Sequence, residues 1–381
     1  MKLYSKTVVL LAVVVLVLSS CKSAKTLTAP VPATGVSISL MASYPAGNMP
    51  TIRNDSNGYI ISYYYYGDMW LMKADASGDC VWARNYYRGA AFLDYVDQPY
   101  GVAAASDGYY VTGDSHPFGG VSNNDYHDFI AIKTDLSGNE IWRHTIDDKG
   151  SFGSDVTADN DGGVFTYIGG GQSMIIKYKG DASGDTVWSY TAPMVNYTMP
   201  SLLWTGSGFF YSNTNGTGAF TDMISAAGTG AGAMNYTLPG TFGQTGPYDS
   251  PSCAVPGGGF LTARSYKAVS TTTTNDVILL SSNAAGTITA SHIYGRTADD
   301  EFVAGVATDG KWILIPCNIN AASAVPYIIL LDSAGNFVKE IILSGMVEVD
   351  SIIAGKNSGE FVIAGNDTSW TNMVIKKITV N

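Results

Sequence analysis

The stretch Asp107-Gly108-Tyr109-Tyr110-Val111-Thr112-Gly113, followed by Phe129-Ile130-Ala131-Ile132-Lys133-Thr134-Asp135-Leu136-Ser137-Gly138-Asn139-Glu140-Ile141-Trp142, decides the fold of this chain. Its first half is a short Asp-Gly turn opening an apolar run, as a strand entered from a tight hairpin requires. Its second half runs apolar, turns at Asp-x-Ser-Gly-Asn and returns as a strand carrying Trp142. In that turn Gly138 supplies a positive φ and Asp135 bonds nearby backbone amides.

The same unit recurs along the chain. Asn57-Gly58-Tyr59-Ile60-Ile61-Ser62 leads to Trp70 and then to Asp75-Ala76-Ser77-Gly78-Asp79-Cys80-Val81-Trp82. Asp161-Gly162-Gly163-Val164 leads to Asp181-Ala182-Ser183-Gly184-Asp185-Thr186-Val187-Trp188. Four weaker copies follow, centred on Gly208, Gly258, Gly310 and Gly359, and none of them keeps the Trp. The seven turn glycines are 50, 54, 46, 50, 52 and 49 residues apart. Four antiparallel strands in each ~50-residue unit, repeated seven times, predict an all-β, seven-bladed β-propeller over residues 36–381. The last copy ends after its third strand, near Val380. An orphan strand, Gly35 to Tyr44, precedes the first copy. It is expected to supply the fourth strand of the last blade and so remove the open edge. Trp82, Trp142 and Trp188 offer stacking surfaces for sugars or bases, but their equivalence favours packing between neighbouring blades.

Composition agrees. Charged residues make up 14% of the chain against a usual ~25%, while aromatics reach 12% with 24 Tyr, and there are 43 Gly. Such a chain is too apolar for disorder and suits sheets joined by tight turns. With 21 basic and 32 acidic residues the net charge is −11. A nucleic-acid partner is excluded as an expectation, because phosphate neutralisation needs an excess of Lys and Arg.

Residues 1–20 read as an export signal. Lys2 and Lys6 precede the apolar run Thr7 to Leu18, which is shorter than the ~20 residues of a membrane span. No later run is apolar enough to span. Leu18-Ser19-Ser20-Cys21 resembles a bacterial lipobox, which implies a lipoprotein: acylation (diacylglyceryl, with palmitate-like chains) at Cys21, and cleavage before it. Several acyl chains anchor a protein stably to a membrane. Residues 21–35, with two Pro and no apolar period, read as a lipidated flexible tether. The expected location is the cell envelope, on the outer membrane, with the periplasmic and the surface face both open. Cys80, Cys253 and Cys317 form no disulfide framework and are expected as buried thiols in strands. The four His show no ligand spacing, and no Asp-x-Asp-x-Asp calcium loop is present, so no metal or cofactor is expected.

The repeat, an Asp and a Gly with Trp four residues after the Gly, resembles that of quinoprotein-type (pyrroloquinoline quinone-like) propellers. Gly78 to Trp82, Gly138 to Trp142 and Gly184 to Trp188 keep this spacing. The Asp-to-Gly spacing is one residue shorter. The resemblance implies either a quinone-dependent dehydrogenase, normally eight-bladed, or a non-catalytic scaffold of the envelope.

The short turns share one face of the disc, and the longer connections share the other. These are 114–128, 264–275 and 316–326 within blades, and 87–99, 147–153, 237–251 and 296–301 between them. A rigid ring with variable loops on one face places binding there. Candidate polar contacts are Asp94, Asp97, His116, His127, Asp147, Asp148, Asp249, Arg296, Asp299 and Asp300, with Tyr95, Tyr248 and Trp370 as stacking surfaces. Asp94, Asp249 and Asp300 each precede a blade's first strand and are equally suited to capping loop backbone. His116 and His127 share one connection and are able to meet. No nucleophile, metal or cofactor motif selects a catalytic residue. The expected function is therefore a non-catalytic binding or scaffold module for protein or glycan. The alternative is a propeller enzyme, either a quinone-dependent dehydrogenase or a glycan hydrolase or lyase, which would need two carboxylates roughly 5–9.5 Å apart.

Overall fold

A computed structural model describes residues 25–26, 35–45, 47–86, 95–117, 127–146, 151–169, 172–192, 200–215, 218–237, 240–242, 252–268, 275–296, 300–319 and 325–381. These residues form seven sheets arranged as a seven-bladed β-propeller, with four antiparallel strands per blade. In the first blade the strands are Asn48–Asp55, Gly58–Tyr65, Asp68–Asp75 and Cys80–Asn85, paired in chain order. In the second they are Tyr95–Ala105, Gly108–Pro117, Asp128–Thr134 and Glu140–Ile146. The fifth and sixth blades divide the innermost strand, with Glu301–Val303 and Ala307–Thr308 both pairing with Trp312–Ile319 in the sixth. Among the described residues no helix is long and apolar enough to cross a membrane.

The expected closure is present. Val36–Pro45 pairs antiparallel with Asn372–Val380, Ile38 opposite Ile378 and Ser43 opposite Val374. Where the other blades turn between third and fourth strands, the two chain ends meet instead, and Asn381 N donates to Gly35 O at 2.9 Å. Lys25–Thr26, inside the segment expected as a tether, pairs in parallel with Tyr294 and Gly295 on the outer edge of the fifth blade. Apart from these two residues and Gly35, the signal stretch, Cys21 and the rest of that segment lie outside the described residues.

Neighbouring blades are joined by a repeated device, and it explains the motif. The turn carboxylate accepts two backbone amides, as when Asp135 Oδ1 accepts from Ser137 N and Asn139 N, both at 2.8 Å. The turn glycine then takes a positive φ: +93° at Gly78, +79° at Gly138, +57° at Gly184. A side chain of the preceding blade covers that glycine, Met41 at Gly78 and a Trp at the next three. A Cβ at Gly138 would stand 2.7 Å from Trp82, one at Gly184 2.9 Å from Trp142, and one at Gly228 2.5 Å from Trp188. The weak copies keep the geometry with other residues. Asn283 Oδ1 accepts from Ala285 N and Thr287 N, both at 3.0 Å, and Gly286 has φ +81°.

The repeated Lys of the third strand has an equally regular place. Lys73 reaches Asp55, Lys133 reaches Asp107 and Lys177 reaches Asp159, each at 2.6 Å, tying the third strand to the turn between the first two. The innermost strands are edges, and their outward amides bond to side chains of the preceding blade. Ile52 N donates to Ser351 Oγ at 3.2 Å, Leu202 N to Asp155 Oδ2 at 2.9 Å and Val349 N to Asn318 Oδ1 at 2.9 Å. These bonds account for much of the buried Ser, Thr and Asp, since an unpaired buried amide costs free energy. Of the thiols, Cys317 is buried and Cys253 half-buried, but Cys80 is exposed because it begins an outer strand.

Three second strands run further than expected, to Pro117, Ala268 and Ile319. Asp114, Arg264 and Pro316 are therefore buried strand residues and not the first residues of connections. Polar character at 114 and 264 had suggested loops; the seams between blades supply polar surroundings that a strand can use.

Candidate functional site

The ends of the second and fourth strands, from which the connections between second and third strands and between blades leave, share one face. On it the second blade assembles an Asp-His-His group. Alternation along Gly108–Pro117 puts Asp114 and His116 on one side of the strand. Ser115 is the register partner of Asp128, so the preceding residue, His127, stands across from His116. The rings of the two histidines are 4.6 Å apart. His127 Nδ1 hydrogen-bonds to Asp114 Oδ2, and His116 Nδ1 lies 3.4 Å from the same oxygen. Asp114 is completely buried. Burial alone would raise its carboxyl, but the two imidazoles outweigh it and hold the group below the usual carboxylate range. The hydrogen bond to Asp114 pushes His127 up, against its own burial.

The group faces the third blade. Asp114 is the register partner of Phe129, and Phe129 stacks on Tyr167 of that blade at 4.8 Å. The backbone is pinned across the seam, with Ser151 N donating to His127 O at 2.9 Å and Phe129 N to Ser151 Oγ at 3.2 Å. One ligand atom from each of Asp114, His116 and His127 lies within 4.8 Å of the others, an arrangement able to hold a metal ion. His116 and His127, which the sequence left able to meet but better suited to separate solvated places, stand together here, although the four His carry no ligand spacing in the sequence. Asp114 escaped notice because it was read as the start of a loop. The signal was present in Asp114-Ser115-His116, whose alternation puts both ligands on one face.

The same face presents aromatic rings on two adjacent blades. Tyr66, in the turn between second and third strands of the first blade, is 83% exposed, and Trp370, in the corresponding turn of the last blade, is 56% exposed. Both have left-handed backbones, with φ of 49° and 56°, which is costly for a bulky residue. Tyr65 stands against Tyr66 with ring centroids 4.3 Å apart. Asp367 fixes the Trp370 turn by accepting from Ser369 N at 3.1 Å and from Asn372 Nδ2 at 2.6 Å. Trp370 was expected here from the sequence; Tyr65 and Tyr66 were missed, because the candidates were sought in the longer connections and this turn is short.

The other expected contacts separate into used and outlying ones. Asp97 is buried in the first strand of the second blade, its amide donating to Gly67 O at 2.9 Å, so it is not offered to solvent. Tyr95 begins that strand. Arg296 is taken up by the protein: its guanidinium bonds Glu340 at 2.5 Å and 3.3 Å and lies over the Tyr327 ring at 3.9 Å. Asp300 caps backbone, accepting from Asn275 N at 2.8 Å. Asp94, Asp147, Asp148, Tyr248, Asp249 and Asp299 lie outside the described residues. His144 has a seam role, its Nε2 facing Gly184 O at 2.8 Å.

No protein-family model matches the sequence, and no curated protein matches it. Among solved structures, the chain is similar to the β-propeller domain of Myceliophteria thermophila Cps50 (Swd1), with TM-score 0.56 and 11% identity over 89% of this chain and 99% of that one. It is similar to hydrazine synthase of Kuenenia stuttgartiensis, with TM-score 0.58 and 14% identity over 87% and 95%. A chain of a mitotic checkpoint complex gives TM-score 0.56 and 11% identity over 95% and 98%. At these identities the likeness is one of fold.

Proposed function

We propose that this propeller is a non-catalytic binding or scaffold module of the cell envelope, lipid-anchored through Cys21, that engages a protein or glycan through its long-loop face. The observation that carries the reading is the pair of rings at Tyr66 and Trp370 on adjacent blades of that face. Large rings held mostly in water on strained backbones gain little in the free protein, and strain of that kind marks ligand clamps. Aromatic side chains on rigid turns give a partner contact area at little cost in conformational entropy. Propellers similar to this one include a chain of a mitotic checkpoint complex, in keeping with a protein partner. The quinoprotein-like repeat is accounted for by seam packing of Trp82, Trp142 and Trp188, so the repeat by itself calls for no quinone. Anchoring rests on Leu18-Ser19-Ser20-Cys21 alone. An outer-membrane position, with the propeller either periplasmic or at the surface, is part of the same proposal.

The test is crosslinking in intact envelopes together with a glycan array, comparing wild type with the double variant Tyr66→Ser, Trp370→Ser. Both side chains are exposed, so the variant is expected to fold. A partner or glycan held by wild type and reduced at least tenfold in the variant supports the reading. Equal capture by both proteins, or none by either, overturns it. Fatty-acid labelling lost in Cys21→Ala tests the anchor, and protease shaving of whole cells distinguishes the two faces.

A further inference from the structure

We propose that Asp114, His116 and His127 bind one divalent transition-metal ion, of which zinc is the type, at the seam between the second and third blades. The argument starts from what is unsatisfied. The hydrogen bond from His127 to Asp114 Oδ2 uses one carboxylate oxygen and one ring nitrogen. It leaves Asp114 Oδ1 buried with no hydrogen-bond partner, and His116 Nδ1 buried with only a 3.4 Å approach to the oxygen that His127 already uses. A buried carboxylate oxygen and a buried imidazole nitrogen, each without a hydrogen bond, cost free energy in a native protein unless a ligand serves them. A single cation between the three groups satisfies both and replaces the proton shared by His127 and Asp114.

The donor set selects the kind of ion. Two imidazole nitrogens and one carboxylate suit zinc and its first-row neighbours, whereas calcium and magnesium take oxygen ligands. The ligand atoms already lie within 4.8 Å of one another, so little rearrangement is needed. The support is rigid: Asp114 and His116 stand two residues apart on one strand, and His127 is fixed through its carbonyl by Ser151 of the next blade. Three protein ligands leave a coordination position open, as in zinc sites that bind a further group. The ion would also clamp the second and third strands of this blade to each other, coupling its binding to the order of that seam.

The test uses the full-length protein in detergent, stripped with a chelator and titrated with Zn²⁺ and, for its visible spectrum, Co²⁺. One equivalent is expected, with cobalt d–d bands and without the thiolate-to-cobalt charge transfer that the exposed Cys80 would give. His116→Gln and His127→Gln, whose side chains are partly exposed, are each expected to weaken binding by at least about tenfold, the smaller loss recorded even for supporting residues of metal sites. Zinc is expected to raise the melting temperature of wild type and to leave that of His127→Gln unchanged. Unaltered circular dichroism shows that the variants fold. Failure of folded wild type to bind at ten times its own concentration of zinc, equal affinity in the variants, or a cobalt spectrum dominated by thiolate overturns the proposal. The Tyr66 and Trp370 surface is tested separately and stands or falls without it.

Discussion

Asp367 shows how a single side chain sets the face on which a partner would dock. Its carboxylate gathers Ser369 N, Asn372 N and Asn372 Nδ2, while its carbonyl accepts from Trp370 N at 3.1 Å, so the turn that lifts Trp370 is organised by one residue. Burial would raise its carboxyl, but the donors from Asn372 and Ser369 prevail and bring it down to about 2. An unfolded Asp titrates near ~3.9. The carboxylate's contribution is therefore complete above about pH 4 and is lost as the pH falls towards 2. Asp367→Asn is expected to be less stable than wild type at pH 7 by about 1 kcal/mol or less, since solvent screens a turn carboxylate. Thermal melts of both proteins across pH 2 to 7 should show the gap closing over that window. A gap independent of pH would mean that the charge plays no part.

At the scale of the element, the unit of stability is the seam in which one blade's Trp covers the next blade's turn glycine. Gly138 carries φ +79° and has Trp82 where a Cβ would go, so it faces two penalties. Gly138→Ala is expected to cost about 1–2 kcal/mol from the backbone alone, and more from the clash. Adding Trp82→Ala removes the clash with the ring and leaves only the flexible Arg84 stem at 2.9 Å, so the double variant should be more stable than the sum of the two losses predicts, by roughly 0.5–3 kcal/mol. Urea unfolding of the four proteins measures this, and strict additivity would deny the seam its role. The motif made two of these seams fully legible, Trp82 on Gly138 and Trp142 on Gly184, because Asp, Gly and Trp recur at fixed spacing. The remainder were obscure, since Asn283 and Ser225 perform the turn chemistry of Asp, and Met223, His292 or Tyr294 takes the place of Trp. The repeated Lys73, Lys133 and Lys177 were visible as a pattern but not as ion pairs, because each partner Asp lies a strand away in sequence.

For the whole molecule, the seven-fold count and the closure followed from the period and from an orphan strand at one end. Half the site was less legible for a physical reason: polar residues at seams are buried in strands, so Asp114 and Asp97 looked like loop residues. Closure carries the strongest demand on the ring. Nine residue pairs join Val36–Pro45 to Asn372–Val380, whose Ile375 and Ile378 are fully buried. Deleting residues 36–45 would leave that strand as a long apolar edge, the kind that pairs with other chains. The deletion variant is expected to lose the single cooperative transition and to aggregate, as judged by calorimetry and size-exclusion chromatography. A circular permutant provides the control for the loss of chain. Gly35 and Asn381 already bond, so a short turn of the Asp-Leu-Ser-Gly-Asn type can join them, with new termini at Gly47 and Pro45. All seven blades are then covalently complete, and the permutant should remain monomeric and melt in one step within a few degrees of wild type. Should the deletion variant melt as wild type does, the final blade would hold without its N-terminal strand, and the ring would owe its integrity to the seams alone.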